Sequence, residues 1–487
     1  MTSRVALVSG GLNTTTGGSA KWAGLAILVT VPVVLGLLLN PLVAGAVIAT
    51  VGVVSLAIVR PRTFFAAGLI VLLMQRTFGL YVPGGGIDGL DEAFVAACAV
   101  IFPVRRLAQG HALRAIPGLV PLAAFLILGI AGDVLNAVPF GVAGQGLLLI
   151  SKGFILAWAT AQLDWDDAAL ARTVKISAGI VVCLIIGAAI NFVAPGPWTS
   201  IVLNGAGAGT RFGISPVTSF FQHPGYFGTV MAMSCLAAAA FGTVFRFTRT
   251  TLFILLGTIV AAFLTARRKI LVGLAAGLIV LGMRTRPVPT LILLLVGGPL
   301  VLAVAWEPLT AVMTYTYEEY FANPDAVARI RLTVDSLGIA LASFPFGAGF
   351  GRFGSAAARA NYSPIYYELG YPGVWGLGTT EESGSFLTDT FWPAIIGEAG
   401  LIGLACFAVS IVLITRAFVK LGRASSRWDR WIGVVGILWT TQLLIESIAG
   451  AVFTAVPTFA IYFALVGVAA MRSASTSKAA SVAMSRP

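Results

Sequence analysis

Apolar residues run in blocks of about 20 along almost the whole chain, the length a helix needs to cross the hydrocarbon of a bilayer. Polar and basic residues punctuate the blocks. The pattern predicts helices at 22–40, 41–59, 63–80, 91–103, 117–135, 146–163 and 173–194. After a loop it predicts more at 219–243, 250–265, 270–283, 288–305, 390–415, 430–447 and 451–471. The runs at 91–103 and 270–283 are short for a full crossing, so 12–14 spans are expected. In hydrocarbon the backbone must satisfy its own hydrogen bonds, which makes each open-ended span a helix. The chain therefore reads as an all-α, polytopic membrane protein. A tail (1–21) precedes a first helical bundle (22–306), a large segment outside the membrane (307–389), three last helices (390–471) and a disordered tail (472–487).

Composition agrees with the pattern. Of 487 residues, 58% are hydrophobic and 10% are charged, and mean hydropathy is +0.95. A soluble domain carries about 25% charged residues, so too little polar sequence remains to coat a water-facing surface. Soluble enzymes, disordered chains and disulfide-stapled secreted modules are excluded. Cys98, Cys183, Cys235 and Cys406 each fall inside an apolar run and are expected to be core thiols.

Charge then sets orientation. With the N-terminus in the cytoplasm, 21 of the 31 Lys and Arg residues fall on the inner side, as the positive-inside rule requires. The net charge of +12 is thus a membrane-orienting bias, and no nucleic-acid partner is expected. The exceptions carry more information: Arg76, Lys152, Arg211, Arg267, Arg268, Lys269, Arg329, Arg331, Arg352 and Arg359 lie at outer ends or in outer loops. Three consecutive cations at Arg267–Lys269 repel one another unless an anion joins them; an inverted pair of helices would instead put them in the cytoplasm. The 307–389 segment holds nine of the 19 acids and a net charge of −5. A helix is expected near 325–343. Aromatics at Tyr362, Tyr366, Tyr367, Tyr371 and Trp375 suit sugar rings, an interfacial belt or a folded mini-core equally. Gly349-Phe350-Gly351-Arg352-Phe353-Gly354 spells a dinucleotide-binding pattern without the βαβ unit that would give it meaning, so a tight positive-φ turn is the better reading. With two histidines, no metal-ligand spacing and no phosphate-binding P-loop sequence, neither a metal nor another cofactor is expected.

Four stretches together resemble the O-antigen ligase and polymerase superfamily of bacterial membrane glycosyltransferases. Arg211-Phe212-Gly213 with Phe221-Gln222-His223-Pro224-Gly225 is similar to that family's R-x-G…F-x-H-P-N. Thr265-Ala266-Arg267-Arg268-Lys269 is similar to its T-x-S-R, and Arg329/Arg331 through Pro345-Phe346-Gly347-Ala348-Gly349-Phe350-Gly351 to its R…P-L-x-G-V-G-x-G. Asp389 through Glu398-Ala399-Gly400-Leu401-Ile402-Gly403 is similar to H-N-x-Y-L…E-x-G-L-I-G, with Asp389 where the ligase branch has histidine. The resemblance covers roughly 200–415. It implies a GT-C-like fold in the bacterial plasma membrane, with one large extracytoplasmic loop before the last three helices. It also implies transfer of a glycan from a polyprenyl (undecaprenyl or decaprenyl) diphosphate to a hydroxyl of a glycan or glycolipid acceptor, by a ligase or a polymerase.

That reaction needs fixed cations for the leaving diphosphate, and arginine supplies a planar fork of donors. Arg211, Arg267, Arg268, Lys269, Arg329, Arg331, Lys152 and His223 are the expected diphosphate ligands. Asp389, Glu382 or Glu381 is the expected general base, and Gly349, Arg352, Tyr366, Tyr367 and Trp392 the expected substrate contacts. Several of these positions have plainer readings. Asp389 also suits a helix N-cap, His223 a hydrogen-bonded helix start, Glu398 a partner for a buried cation, and Asp335 an i,i+4 bridge to Arg331. A transporter or flippase of lipid-linked or amphipathic substrates is the alternative function, for which inverted repeats and midplane charges would be expected.

Overall fold

The computed structural model describes residues 41–82, 87–207, 209, 215–297, 310, 314, 327–380 and 382–484. The span expected at 22–40, the second half of that at 288–305, and the candidate residues Arg211 and Glu381 lie outside the described residues. The chain divides into two compact units, Met1–Phe65 and Ala66–Pro487. In the first, Pro41–Val59 forms α1, and α2 (Pro61–Gly79) begins there and continues into the second. The second unit continues with α3 (Leu90–Ala108), α4 (Leu119–Leu135), α5 (Phe140–Ala161), α6 (Asp167–Val193) and α7 (Pro195–Val202). Then come α8 (Pro224–Val244), α9 (Arg249–Leu264), α10 (Arg268–Thr285) and α11 (Pro287–Ile292). The segment expected outside the membrane contributes α12 (Ala328–Ala342), α13 (Ala356–Ala360) and α14 (Pro364–Glu368). The chain closes with α15 (Trp392–Leu421), α16 (Arg427–Glu446) and α17 (Thr458–Met484). The fold is all-helical, with no strand among the described residues. Among the described residues, five helical segments are long and apolar enough to cross a membrane: α5, α6, α8, α15 and the stretch from α16 to Ala449.

The centre of the second unit is α8, PGYFGTVMAMSCLAAAAFGTV, whose small residues let α9, α10 and α16 approach closely. Met231, Leu236, Ile270, Val435 and Leu438 share that core. A second group forms around α15, which packs on α4, α12 and α16, while α17 packs on α5. α15 is broken at Gly400, whose φ of 71° belongs to the left-handed region that glycine tolerates. Carbonyls beside the break find partners in another segment: Ala348 N–H donates to Gly397 O at 2.8 Å and Gly349 N–H to Glu398 O at 3.0 Å. The turn after α12 is thereby stitched into the broken helix.

Several boundaries differ from the expectations. α3 runs through Pro103 to Ala108, because a proline inside a packed helix is tolerated where neighbours re-satisfy the backbone. The expected 451–471 span starts only at Thr458; the preceding residues form a turn that folds back toward α15. The 472–487 tail, expected to be disordered, stays helical as far as Met484, since alanine-rich sequence without Gly or Pro lets the helix run on. Cys183 is exposed and Cys406 half-buried, so only Cys98 and Cys235 are core thiols.

Candidate functional site

The N-terminal ends of α8, α10, α12 and α15 and the C-terminal end of α16 meet at one end of the second unit. Local sequence explains how each is held there. Pro224 at the first position of α8 leaves His223 as the N-cap, and His223 Nδ1 accepts from Gly225 N–H at 3.1 Å. The residues before it are pinned from α6: Asn191 Oδ1 accepts from Thr218 and Ser219 N–H at 2.8 and 3.2 Å. Trp198 Nε1 donates to the Ser219 carbonyl at 2.7 Å. Val217 N–H reaches the Leu264 carbonyl at 3.1 Å, tying this stretch to the end of α9. Between α9 and α10, Ala266 takes a φ of 53°, a left-handed conformation that costs an alanine about 1–2 kcal/mol. That turn delivers Arg267 to His223.

Arg267 Nη2 lies 2.9 Å from His223 Nε2. The guanidinium and the ring nitrogen are within hydrogen-bond distance, so the start of α8 and the basic triplet are joined here. Beside them, Asp389 is paired with Arg329 across 60 residues of sequence, each side chain a little over a quarter exposed. Arg329 also lies over the Phe386 ring at 5.6 Å. Lys269 donates to the Ala449 carbonyl and is electrostatically coupled to Glu446, Asp389, Arg329 and Arg267. Glu446 is fully buried behind it, accepting from Thr229 Oγ1 at 2.5 Å and Gln442 Nε2 at 2.7 Å. His223, Arg267, Lys269, Arg329, Asp389 and Glu446 thus form one mixed-charge cluster. The basic triplet shares an end of the unit with Asp389 and α12, which the inverted-pair alternative does not produce.

The other expected site residues stand elsewhere or do other work. Arg331, two residues from Arg329 and so on another face of α12, donates to the Leu369 carbonyl at 2.7 Å and bridges to Asp335 at 3.5 Å. It locks the mini-core of this segment, where Tyr371 Oη donates to Asp335 at 2.9 Å. Tyr366, expected to touch substrate, is wholly buried there; its hydroxyl accepts from Gly354 N–H at 2.9 Å and its ring stacks on Tyr371 at 5.2 Å. A ring with no exposed surface offers nothing to a sugar, so Tyr366 belongs to the mini-core. Burial also raises the Tyr366 and Tyr371 phenols above the ordinary tyrosine range. Tyr367 is 60% exposed and remains available. Lys152 is buried in a separate cluster with Asp91 and with Glu92 at 2.9 Å. Trp392 Nε1 donates to Ser447 Oγ at 2.9 Å, anchoring the start of α15. Asp389 is not the cap of that helix, since Phe391 holds the capping position. Glu382 is exposed on a turn closed by Thr380 and Ser383. Arg268 is half-buried at the first position of α10.

The glycine-rich run cradles carboxylates of this chain. Asp133 Oδ1 accepts from Phe350 N–H at 2.6 Å, and a Cβ on Gly349 would lie 2.5 Å from that oxygen. Arg352 is close enough to Asp133 to interact with it electrostatically. Glu398 accepts from Ser355 Oγ at 2.6 Å and Phe353 N–H at 3.3 Å. The buried cation expected for Glu398 is replaced by hydroxyl and amide donors of the turn. Gly349 and Arg352 therefore sit where this segment docks on α4 and α15. Glu446, Asp91, Glu92 and Asp133 were not anticipated as partners; acids inside or at the head of apolar runs were their only signal. No protein-family model matches the chain, and no curated protein does either.

Proposed function

We propose that this protein is a membrane glycosyltransferase acting on the extracytoplasmic face, as an O-antigen ligase-like ligase or a polysaccharide polymerase. The reading takes 12–14 spans in a GT-C-like arrangement in a bacterial plasma membrane, with the α12–α14 segment outside. Its supporting observation is the cluster itself, in which Arg267 meets His223, Arg329 pairs with Asp389, and Lys269 interacts with Arg267, Arg329, Asp389 and Glu446. Arginines and a lysine suit a lipid diphosphate, and a carboxylate among them suits a base.

In the proposed reaction the diphosphate of a polyprenyl-linked glycan lies between Arg267 and His223, with Lys269 beside it. Arg329 is shared between this anion and Asp389. The acceptor hydroxyl oxygen attacks the anomeric carbon, and its proton passes to the Asp389 carboxylate. The bond from that carbon to the diphosphate oxygen breaks, and the electron pair leaves with the polyprenyl diphosphate. One displacement inverts the anomeric centre. The guanidinium groups take up the charge, so no metal is called for. Each preorganised donor of this kind contributes about 10²–10³ in rate, and a positioned base about 10²–10⁴.

The test is transfer from a lipid-linked oligosaccharide in detergent or liposomes, comparing Arg267→Ala, Asp389→Ala and Arg331→Ala. The proposal predicts loss of at least about 100-fold for the first two, with folded protein confirmed by size-exclusion elution. Arg331→Ala is expected to lower stability more than transfer. Undiminished transfer in folded Arg267→Ala and Asp389→Ala would overturn it.

A further inference from the structure

At the opposite end of the second unit, the C-terminal ends of α8, α10 and α15 meet the N-terminal end of α16 around a cavity of about 460 Å³. Its lining includes Thr243, Val244, Arg284, Thr285, Arg423 and Arg430, three guanidinium groups with no carboxylate among the lining residues. We infer that this pocket binds the phosphate headgroup of an anionic phospholipid, independently of the proposed transfer reaction at the other end.

Three observations carry the inference. The arginines are close enough for Arg284 and Arg423 to repel one another, a cost that an anion between them removes. Two of them are also held in place by backbone. Arg284 Nη2 donates to the Gly422 carbonyl at 2.9 Å, and Arg430 Nε and Nη2 reach the Ala424 and Ser425 carbonyls at 3.3 and 3.4 Å. These contacts use only part of each guanidinium's five donors, and a phosphate accepts such donors in pairs. Gly422 makes the room, because a Cβ there would lie 2.5 Å from Arg284 Nη2. Finally, an aromatic cluster stands beside the pocket, at the C-terminal end of α8 and the N-terminal end of α16. Phe245 stacks on Phe241 at 4.6 Å and meets Trp428 at 4.7 Å, with Trp431 5.9 Å from Trp428. Tryptophan-rich groups of this kind settle at the headgroup level of a bilayer. That places the arginines beside lipid phosphates, and basic pockets between spans are a recognised headgroup site.

The experiment measures the thermal midpoint of the full chain in neutral detergent with added phosphatidylglycerol, phosphatidylcholine or inorganic phosphate. Native mass spectrometry counts the retained lipid. Phosphatidylglycerol is expected to raise the midpoint and remain bound, whereas the other two do neither. Arg423→Gln and Arg430→Gln, both exposed positions, are each expected to weaken phosphatidylglycerol binding about fivefold, the effect of one basic residue near an anionic membrane surface. Arg172→Gln, on α6 and outside the pocket lining, is expected to leave it unchanged. Stabilisation by inorganic phosphate equal to that by lipid would mean a soluble-anion site and overturn the inference. So would equal weakening in Arg172→Gln, or no weakening in the two pocket variants.

Discussion

Replacing Glu398 tests how the α12–α14 segment is fastened to the helices. The side chain is 95% buried, since only 5% of its surface is exposed. Its carboxylate takes hydrogen bonds from Ser355 Oγ at 2.6 Å and Phe353 N–H at 3.3 Å. Alanine at this position leaves two buried donors without an acceptor, at about 1–3 kcal/mol each, or roughly 2–6 kcal/mol together. That is a large share of the roughly 5–15 kcal/mol that stabilises a typical fold. Glutamine keeps one acceptor oxygen and is expected to cost about 1–2 kcal/mol. Ser355 additionally caps α13 through Ala358 N–H at 3.1 Å, so Ser355→Ala loses that contact as well. A double-mutant cycle between Glu398→Ala and Ser355→Ala should return a coupling of about 0.5–1.5 kcal/mol, as for a typical hydrogen bond within a shared network. The assay is denaturant unfolding in detergent micelles, with limited proteolysis between residues 355 and 391 as a local readout. An alanine variant within about 0.5 kcal/mol of the parent, equally resistant to protease, would show that Glu398 does not fasten the segment.

Two further outcomes follow from the same contacts. Lys152→Met strands the buried Asp91 carboxylate and should cost about 3–5 kcal/mol, whereas adding Asp91→Asn should recover much of it; an unchanged unfolding midpoint for the single variant would contradict the pairing. Single cysteines placed at Arg268 and Ala360, after the native cysteines are replaced, should react with an impermeant thiol reagent from the same side of the membrane; reaction from opposite sides would separate the triplet from the α12–α14 segment.

The apolar pattern made the helices legible, because hydrocarbon leaves the backbone no alternative. The helix near 325–343 was legible too, and it appears as Ala328–Ala342. What local pattern could not show is where a helix yields to tertiary contact. The apolar run from 451 starts its helix only at Thr458, because the turn before it serves the cluster: Ala449 offers its carbonyl to Lys269. The break at Gly400 was equally hidden, since its freed carbonyls are satisfied by amides some 50 residues earlier. Arg267, Lys269, His223 and Asp389, marked out by charge and by motif order, do come together in one cluster. Glu446 was not marked out, because its partner Thr229 lies 217 residues away. Tyr366 and Tyr367 adjoin in sequence, yet one lies inside the mini-core and the other on its surface, a difference that a five-residue helix creates.

The central claim is that the cations clustered with Asp389 hold a lipid diphosphate. Its most direct measurement is the binding of a glycan-free polyprenyl diphosphate to the full chain in nanodiscs, for the parent, Arg267→Ala, and Arg172→Gln at the other end. Arg267→Ala is expected to weaken binding about 10-fold or more, as loss of a charge-assisted contact of about 1.5–3 kcal/mol implies, and Arg172→Gln to leave it unchanged. Equal affinity in the parent and Arg267→Ala would contradict the claim.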